Sequence, residues 1–435
     1  MRYAEFDDGP ADTRPAPRPS ARLEVVLFFA SAVGATVGWT SLLSGVVHFS
    51  ARFGPDSFIW LNAAVFLPLL PISVTQAALD DYFDREIGSS ATFPFRGSVC
   101  FLAMSTALVA IAYGPRSSLP LLLVVAATLG TAAAALQGTL YQMAALQSSA
   151  QLKAAVASGT QASGVVALGL TLATGFGSSS RGEGFRRFAL LAALVEACCF
   201  GCFLRLVCSS SLSRSLLRRD TAFGPRAARA PQATAEIAEA QGESTAPPPR
   251  YSALCRSGWP CCAALLVTVS SSMLVGAWFA RVRSRCGNEA LPQILFYARL
   301  LSDLCGRPFT LAAPLRSVAA LAVLTVLRLA LVPLFFALTS TPDSETQLLE
   351  GCARDVLVVA VAALIAFGSG FVVTSCYQLA ERLLPRDSES CRAKQTKLLN
   401  VVCAAAVLLG LGASVADARY ADGDVPRRGP FKFSI

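Results

Sequence analysis

Three charged residues stand four apart in "ARLLSDLCGRPFT" (298–310): Arg299, Asp303 and Arg307. On an α-helix each step of four turns the side chain by about 40°, and the set covers roughly 12 Å of one face. A carboxylate one turn from a guanidinium makes a hydrogen-bonded ion pair. Such a pair also suits a hydroxylated ligand, since the carboxylate accepts and the guanidinium donates. One carboxylate neutralises one guanidinium, so a positive charge is left for a loop carboxylate, a backbone carbonyl or a ligand. Two readings stand here, a substrate pathway and a structural pair that locks helices. Gly306 and Pro308 flank Arg307, and proline disfavours α geometry in the residue before it, so a kink exposing carbonyls to a cavity is expected.

The elements that must position these charges are apolar. Of 435 residues, 54% are hydrophobic and 15% charged, and mean hydropathy is +0.54. A soluble domain carries about a quarter charged residues. The apolar residues form runs of roughly 20, long enough to cross a bilayer. The expected fold is all-α and polytopic, with eleven spans at about 24–49, 57–79, 95–114, 119–146, 150–175, 187–209, 257–280, 289–313, 316–339, 354–379 and 396–417. This divides the chain into a cytosolic, Pro-rich tail (1–23), a six-helix bundle (24–209), a disordered cytosolic loop (210–256), a five-helix bundle (257–417) and an extracellular tail (418–435).

The net charge of +9 lies mostly in short loops, where it sets orientation rather than binding nucleic acid. Arg214, Arg218, Arg219, Arg226, Arg229 and Arg250 crowd the central loop, and Arg382, Arg386, Arg392, Lys394 and Lys397 the loop before the last span. Both fall on the side of the N-terminus, which is therefore read as cytosolic, with the C-terminus outside. Arg281, Arg283 and Arg285 run against this bias. The plasma membrane is the default location, no sorting signal being visible in "ARYADGDVPRRGPFKFSI". Most of the fourteen cysteines lie in apolar runs such as "EACCFGCF", where they act as small hydrophobes. With one His, no multi-histidine metal site is possible, and no cofactor is expected. A membrane enzyme or receptor is the less expected class, given eleven spans rather than seven and no Cys/His cluster with metal spacing.

A charge at the bilayer centre costs about 3 kcal/mol, so such residues usually face a bundle interior or a water-filled path. Arg328 in the ninth span and Glu196 in the sixth are candidates for gating or coupling. Glu196 reads either as a proton-coupling carboxylate or as an interhelical partner, and Arg205 as a snorkelling residue at a helix end. Gln137, in the small-residue stretch "ALQGTLYQ", can bond a base edge or a neighbouring helix. Trp39 can stack on a planar ring or anchor at an interface. His48 is a packed histidine or a gating group.

Taken in order, these pieces resemble the equilibrative nucleoside transporter family. The Trp39…Phe49 spacing in the first span, Leu136-Gln137-Gly138 in the fourth and Ser158-Gly159…Gly164 in the fifth carry the likeness. So do Asp303-x-x-Gly306-Arg307, "RLALVPLF" (328–335), "AFGSGFVV" (366–373) and "LLGLGAS" (408–414). Gly38, Thr40, His48 and Leu300 replace the Pro, Asn, Tyr and Asn that are usual there. The resemblance implies a major-facilitator-like bundle of six plus five helices with one central site. It implies that Trp39 and Gln137 contact a nucleobase, that Asp303 and Arg307 contact a ribose, and that Leu43 and Phe296 line the pocket. The expected activity is nucleoside, or nucleobase, transport through the lipid bilayer by alternating access, either facilitated or proton-coupled. A solute carrier of similar architecture for another small organic solute is the alternative.

Overall fold

The structure, a computed structural model, describes residues 19–54, 56–114, 118–147, 149–176, 184–209, 212–214, 216, 217, 220, 250–340, 352–384 and 389–422. Most of the N-terminal tail (1–18), residues 221–249 of the central loop and the tail beyond residue 422 therefore lie outside the described residues.

The fold is an all-α polytopic membrane protein in a six-plus-five arrangement. In the first bundle α1 (Pro19–Ser44) is followed by α2 (Val46–Phe53), α3 (Ser57–Phe66), α4 (Leu69–Glu86), α5 (Ser89–Tyr113), α6 (Leu119–Leu146), α7 (Ala150–Thr174) and α8 (Phe185–Val207). The second comprises α9 (Tyr251–Trp278), α10 (Leu291–Ala312), α11 (Val318–Ser340), α12 (Cys352–Arg382) and α13 (Glu389–Asp422). Among the described residues, ten helices are long and apolar enough to cross a membrane. The eleventh span is α10, whose 22 residues reach about 33 Å but carry Arg299, Asp303 and Arg307. The charges that make this helix interesting are what depress its hydropathy.

Two expected spans are each built of two helices. Gly45 separates α1 from α2, where a Cβ would meet the rings of Phe49 and Phe176. Between α3 and α4, Pro68 cannot donate, yet Leu67 and Pro68 keep right-handed helical dihedrals, so the direction of the chain persists. The kink expected at Pro308 is absent as a break: α10 runs without interruption to Ala312. Proline removes one hydrogen bond there, and close packing against α12 holds the helix together. At that crossing a Cβ on Gly306 would collide with the Phe367 carbonyl and one on Gly370 with the Asp303 carbonyl. Such backbone approach is what small residues permit between membrane helices.

The central loop is more ordered at its edges than its composition suggests. The helix α9 begins at Tyr251, inside the stretch expected to be loop. Leu212 and Leu216 are buried in the core of the first bundle. Asp220 reaches the start of α5, accepting from the backbone N–H and hydroxyl of Ser89 (2.6 and 2.7 Å) and from those of Ser90. A carboxylate at a helix N-terminus satisfies orphan N–H groups and complements the helix dipole. At the other end of the chain, residues 418–422, expected to be tail, continue α13.

Two cysteines outside the apolar runs, Cys286 and Cys352, form a disulfide that the sequence did not announce. It ties the α9–α10 connection to the start of α12. Around it Asp355 accepts from the Ser284 hydroxyl and the Arg285 backbone N–H.

Burial opposes ionisation of Asp220, and its four hydrogen bonds outweigh that effect, holding the carboxyl below its ordinary range. A lowered carboxylate pKa stabilises the fold above the unfolded value, and the gain is lost as pH falls through the folded value. Asp220→Ala is therefore expected to lower stability at neutral pH by about 1 kcal/mol, the size found when a capping side chain is removed. Thermal unfolding in detergent should show that difference shrinking as the buffer is acidified below the carboxylate range.

Candidate functional site

Between the two bundles lies a cavity of about 210 Å³. Trp39, Leu43, Gln137, Phe296, Asp303 and Arg307, all singled out from sequence, line it together. Trp39 meets Phe66 edge-to-face at 5.2 Å between ring centroids, and both rings face the cavity. The tryptophan thus stands on the cavity wall and not at the bundle surface. Gln137 is half-buried and its side-chain amide makes no hydrogen bond among the described residues, which leaves that amide available to a ligand edge.

Asp303 and Arg307 form the expected pair. Arg307 donates through Nε (3.1 Å) and Nη2 (3.0 Å), both to Asp303 Oδ2. Its remaining amine, Nη1, donates across the bundle interface to the Ala157 carbonyl of α7 at 2.9 Å. The pair borders the cavity and also fastens one bundle to the other. Leu300, standing where the resemblance expects Asn, fits because Gly164 of α7 leaves room for it.

The second guanidinium on this face, Arg299, makes no ion pair among the described residues. It lies half-buried on the cavity wall over Gly276, and its hydrogen bond is to the Met273 sulfur at 3.5 Å. One helix away, buried Arg328 donates to the Ile365 carbonyl (3.0 Å), to Ser271 Oγ (2.6 Å) and to Ser272 Oγ. It stands outside the cavity lining, although Ser272 belongs to it.

Three further candidates stand away from the cavity. Glu196 is fully buried on α8, and neither carboxyl oxygen has a hydrogen-bond partner among the described residues. Arg205 is exposed in the last turn of α8. His48 is buried in an aromatic cluster, with ring centroids 5.3 Å from Phe49, 5.5 Å from Phe176 and 6.1 Å from Phe185.

Sequence reasoning missed several groups. Tyr141 of α6 and Tyr377 of α12 stack at 5.3 Å with 12° between their planes, and Tyr377 donates to Asn400 at 2.8 Å. All three line the cavity, as do Asn62 and Gln161. Tyr141 was within reach of the argument, being one turn beyond Gln137 on the same face. Past this stack, toward the end that carries the N-terminus, the bundles are joined by charge. Lys153 of α7 pairs with Glu381 of α12. Asp80 of α4 takes a salt bridge from Arg96 (2.7 Å), a hydrogen bond from Gln142 (2.8 Å) and the more distant Lys397 of α13 (3.9 Å). At the opposite end Arg281 pairs with Asp56 at 3.3 Å. The bundles thus meet at both ends of the cavity. Among the described residues no group of three or more His, Cys, Asp or Glu is placed to hold a metal ion.

Removing one partner of a buried ion pair leaves a charge without compensation, so single and double variants do not add. Lys153→Ala is expected to lower the unfolding midpoint in detergent, and adding Glu381→Ala to cost less than it does alone. The double-mutant cycle should return a coupling of about 1 kcal/mol or more.

No family model and no curated protein matches the chain. Among solved structures, a bacterial homologue of the human lysosomal transporter Spinster, in an inward-facing and unoccupied conformation, is similar to it. The two share 15% identity and a TM-score of 0.53 over 94% of this chain and 85% of that one, which is a likeness of fold.

Proposed function

We propose that this protein is a membrane transporter moving nucleosides or nucleobases by alternating access of its two bundles. The observation that carries the reading is the convergence of an aromatic, an unengaged amide and a carboxylate–guanidinium pair on one inter-bundle cavity. A base offers flat apolar faces and a polar edge, suited to Trp39, Phe296 and Gln137. A ribose offers hydroxyls, suited to Asp303 as acceptor and Arg307 as donor. The motif order in the sequence points to the equilibrative nucleoside transporter family, and the fold likeness to a Spinster homologue is compatible with a transporter of this general build.

Orientation in this reading is N-terminus in the cytosol. The disulfide Cys286–Cys352 supports it, because disulfides persist on the oxidising side of a membrane and the basic loops sit at the other end. It also accounts for Arg281, which against the charge bias lies at the disulfide end and pairs with Asp56. The plasma membrane is the location we propose. Transport is taken as facilitated diffusion. Glu196, buried without a hydrogen-bond partner among the described residues, is the carboxylate that a proton-coupled variant would use. A transporter of another small organic solute is the second reading, and the replacement of Asn by Leu300 beside Asp303 favours it.

Purified protein in liposomes is expected to take up labelled adenosine, inosine, uridine or hypoxanthine. Asp303→Asn and Arg307→Ala should each lower uptake at least tenfold while surface expression stays intact. A wild-type protein that takes up none of the four would defeat the reading.

A further inference from the structure

The cavity carries more positive charge than its own residues neutralise. Three guanidiniums, those of Arg299, Arg307 and Arg328, interact electrostatically with a single carboxylate, Asp303. Arg307 takes that carboxylate through two hydrogen bonds. Arg299 and Arg328 have no carboxylate at ion-pair distance among the described residues, and their partners are a thioether, hydroxyls and a carbonyl. Glu196, the other acid deep within a span, stands on α8 outside the cavity lining and makes no ion pair with them.

The two cations are not equivalent. Arg328 is buried outside the cavity lining and donates to three neutral acceptors, of which Ser272 belongs to the cavity wall. Arg299 is half-buried, lines the cavity and donates to a sulfur, the weakest acceptor in this set. A guanidinium presents five donors in a planar fork matched to a carboxylate or similar oxyanion. Those of Arg299 are largely unused and lie on the same cavity wall as Asp303 and Phe296. An ionisable residue that faces a cavity inside a membrane bundle is by default a candidate for the ligand path.

We propose that the ligand of this cavity is an anion: a planar heterocycle of the nucleobase class bearing one negative charge, which pairs with Arg299. The proposal rests on the transport reading above and narrows it. The aromatic wall of Trp39, Phe66 and Phe296 takes the ring, Gln137 its polar edge, and Arg299 the carboxylate or ionised oxygen. A neutral nucleoside leaves the charge at Arg299 unmatched, so among solutes of similar shape the anion is preferred.

Liposomes holding the wild-type protein separate the cases with two labelled probes, uridine, which is neutral, and orotate, a pyrimidine whose carboxylate is ionised at neutral pH. A potassium gradient with valinomycin sets the membrane potential. Orotate is expected to enter, severalfold faster when the interior is made positive, because its uptake moves net charge. Uridine uptake, if present, should not respond to potential. Arg299→Gln is expected to lower the orotate-to-uridine uptake ratio at least tenfold, and Arg299→Lys to restore part of it. Uridine uptake with orotate neither transported nor competing would overturn the inference and leave the nucleoside reading standing. Orotate uptake with an unchanged ratio in Arg299→Gln would remove Arg299 from the site. Uptake of neither probe would overturn the inference, and the nucleoside reading would fall with it only if adenosine, inosine and hypoxanthine are not taken up either.

Discussion

A guanidinium in the middle of a membrane bundle has to be answered by its surroundings, and Arg307 is answered from two sides. Asp303, one turn away on the same helix, accepts two of its N–H groups, and the Ala157 carbonyl of the other bundle accepts a third. The first contact is built into the helix. The second exists only while the bundles are together at this height. Any motion that separates α7 from α10 must therefore break a charge-assisted hydrogen bond deep in the protein, or hand that donor to something that takes its place. In the transport cycle we propose, a hydroxylated ligand would be such a thing, linking occupancy of the cavity to movement of the bundles.

The rest of the architecture serves that arrangement. For α10 to carry charges through the bundle it must be shielded on both sides, and it lies between α7 and α12. The reciprocal glycines Gly306 and Gly370 bring its backbone against that of α12 closely enough to keep Pro308 within a continuous helix. Polar bonds between α1 and α7, from Thr36 to the Thr160 carbonyl (2.8 Å) and between Thr40 and Ser163 (3.0 Å), stiffen the facing wall. The tyrosine stack in the cavity wall and, beyond it, the Lys153–Glu381 pair join the same two bundles again. Contacts of this kind can be exchanged one set for another, whereas the apolar packing within each bundle has no comparable alternative.

Much of this was legible in the sequence because the relevant signals are local. Apolar runs give spans, and Asp303 with Arg307, or Leu136-Gln137-Gly138, are single-turn patterns whose faces follow from helical geometry. All six residues assigned to ligand contact do share one cavity. What escaped depends on distance along the chain. Cys286 and Cys352 are 66 residues apart, and nothing in the spacing pairs them. Asp220 lies in a stretch whose composition reads as disorder, and its role appears only when it is brought to the start of α5. Tyr377 and Asn400 come from separate helices that meet only in the fold. Arg299 lies outside the family motif, yet its place on the cavity wall follows from the same four-residue spacing that identified its neighbours.

The account stands on the claim that one inter-bundle cavity holds the transported solute between Trp39 and Gln137 on one side and Asp303 and Arg307 on the other. An electron cryomicroscopy structure of the full chain with uridine present tests this most directly. The account predicts density for a ring beside Trp39 and Gln137 and for a sugar within hydrogen-bond distance of Asp303. Uridine density elsewhere in the protein, with this cavity empty, would contradict it.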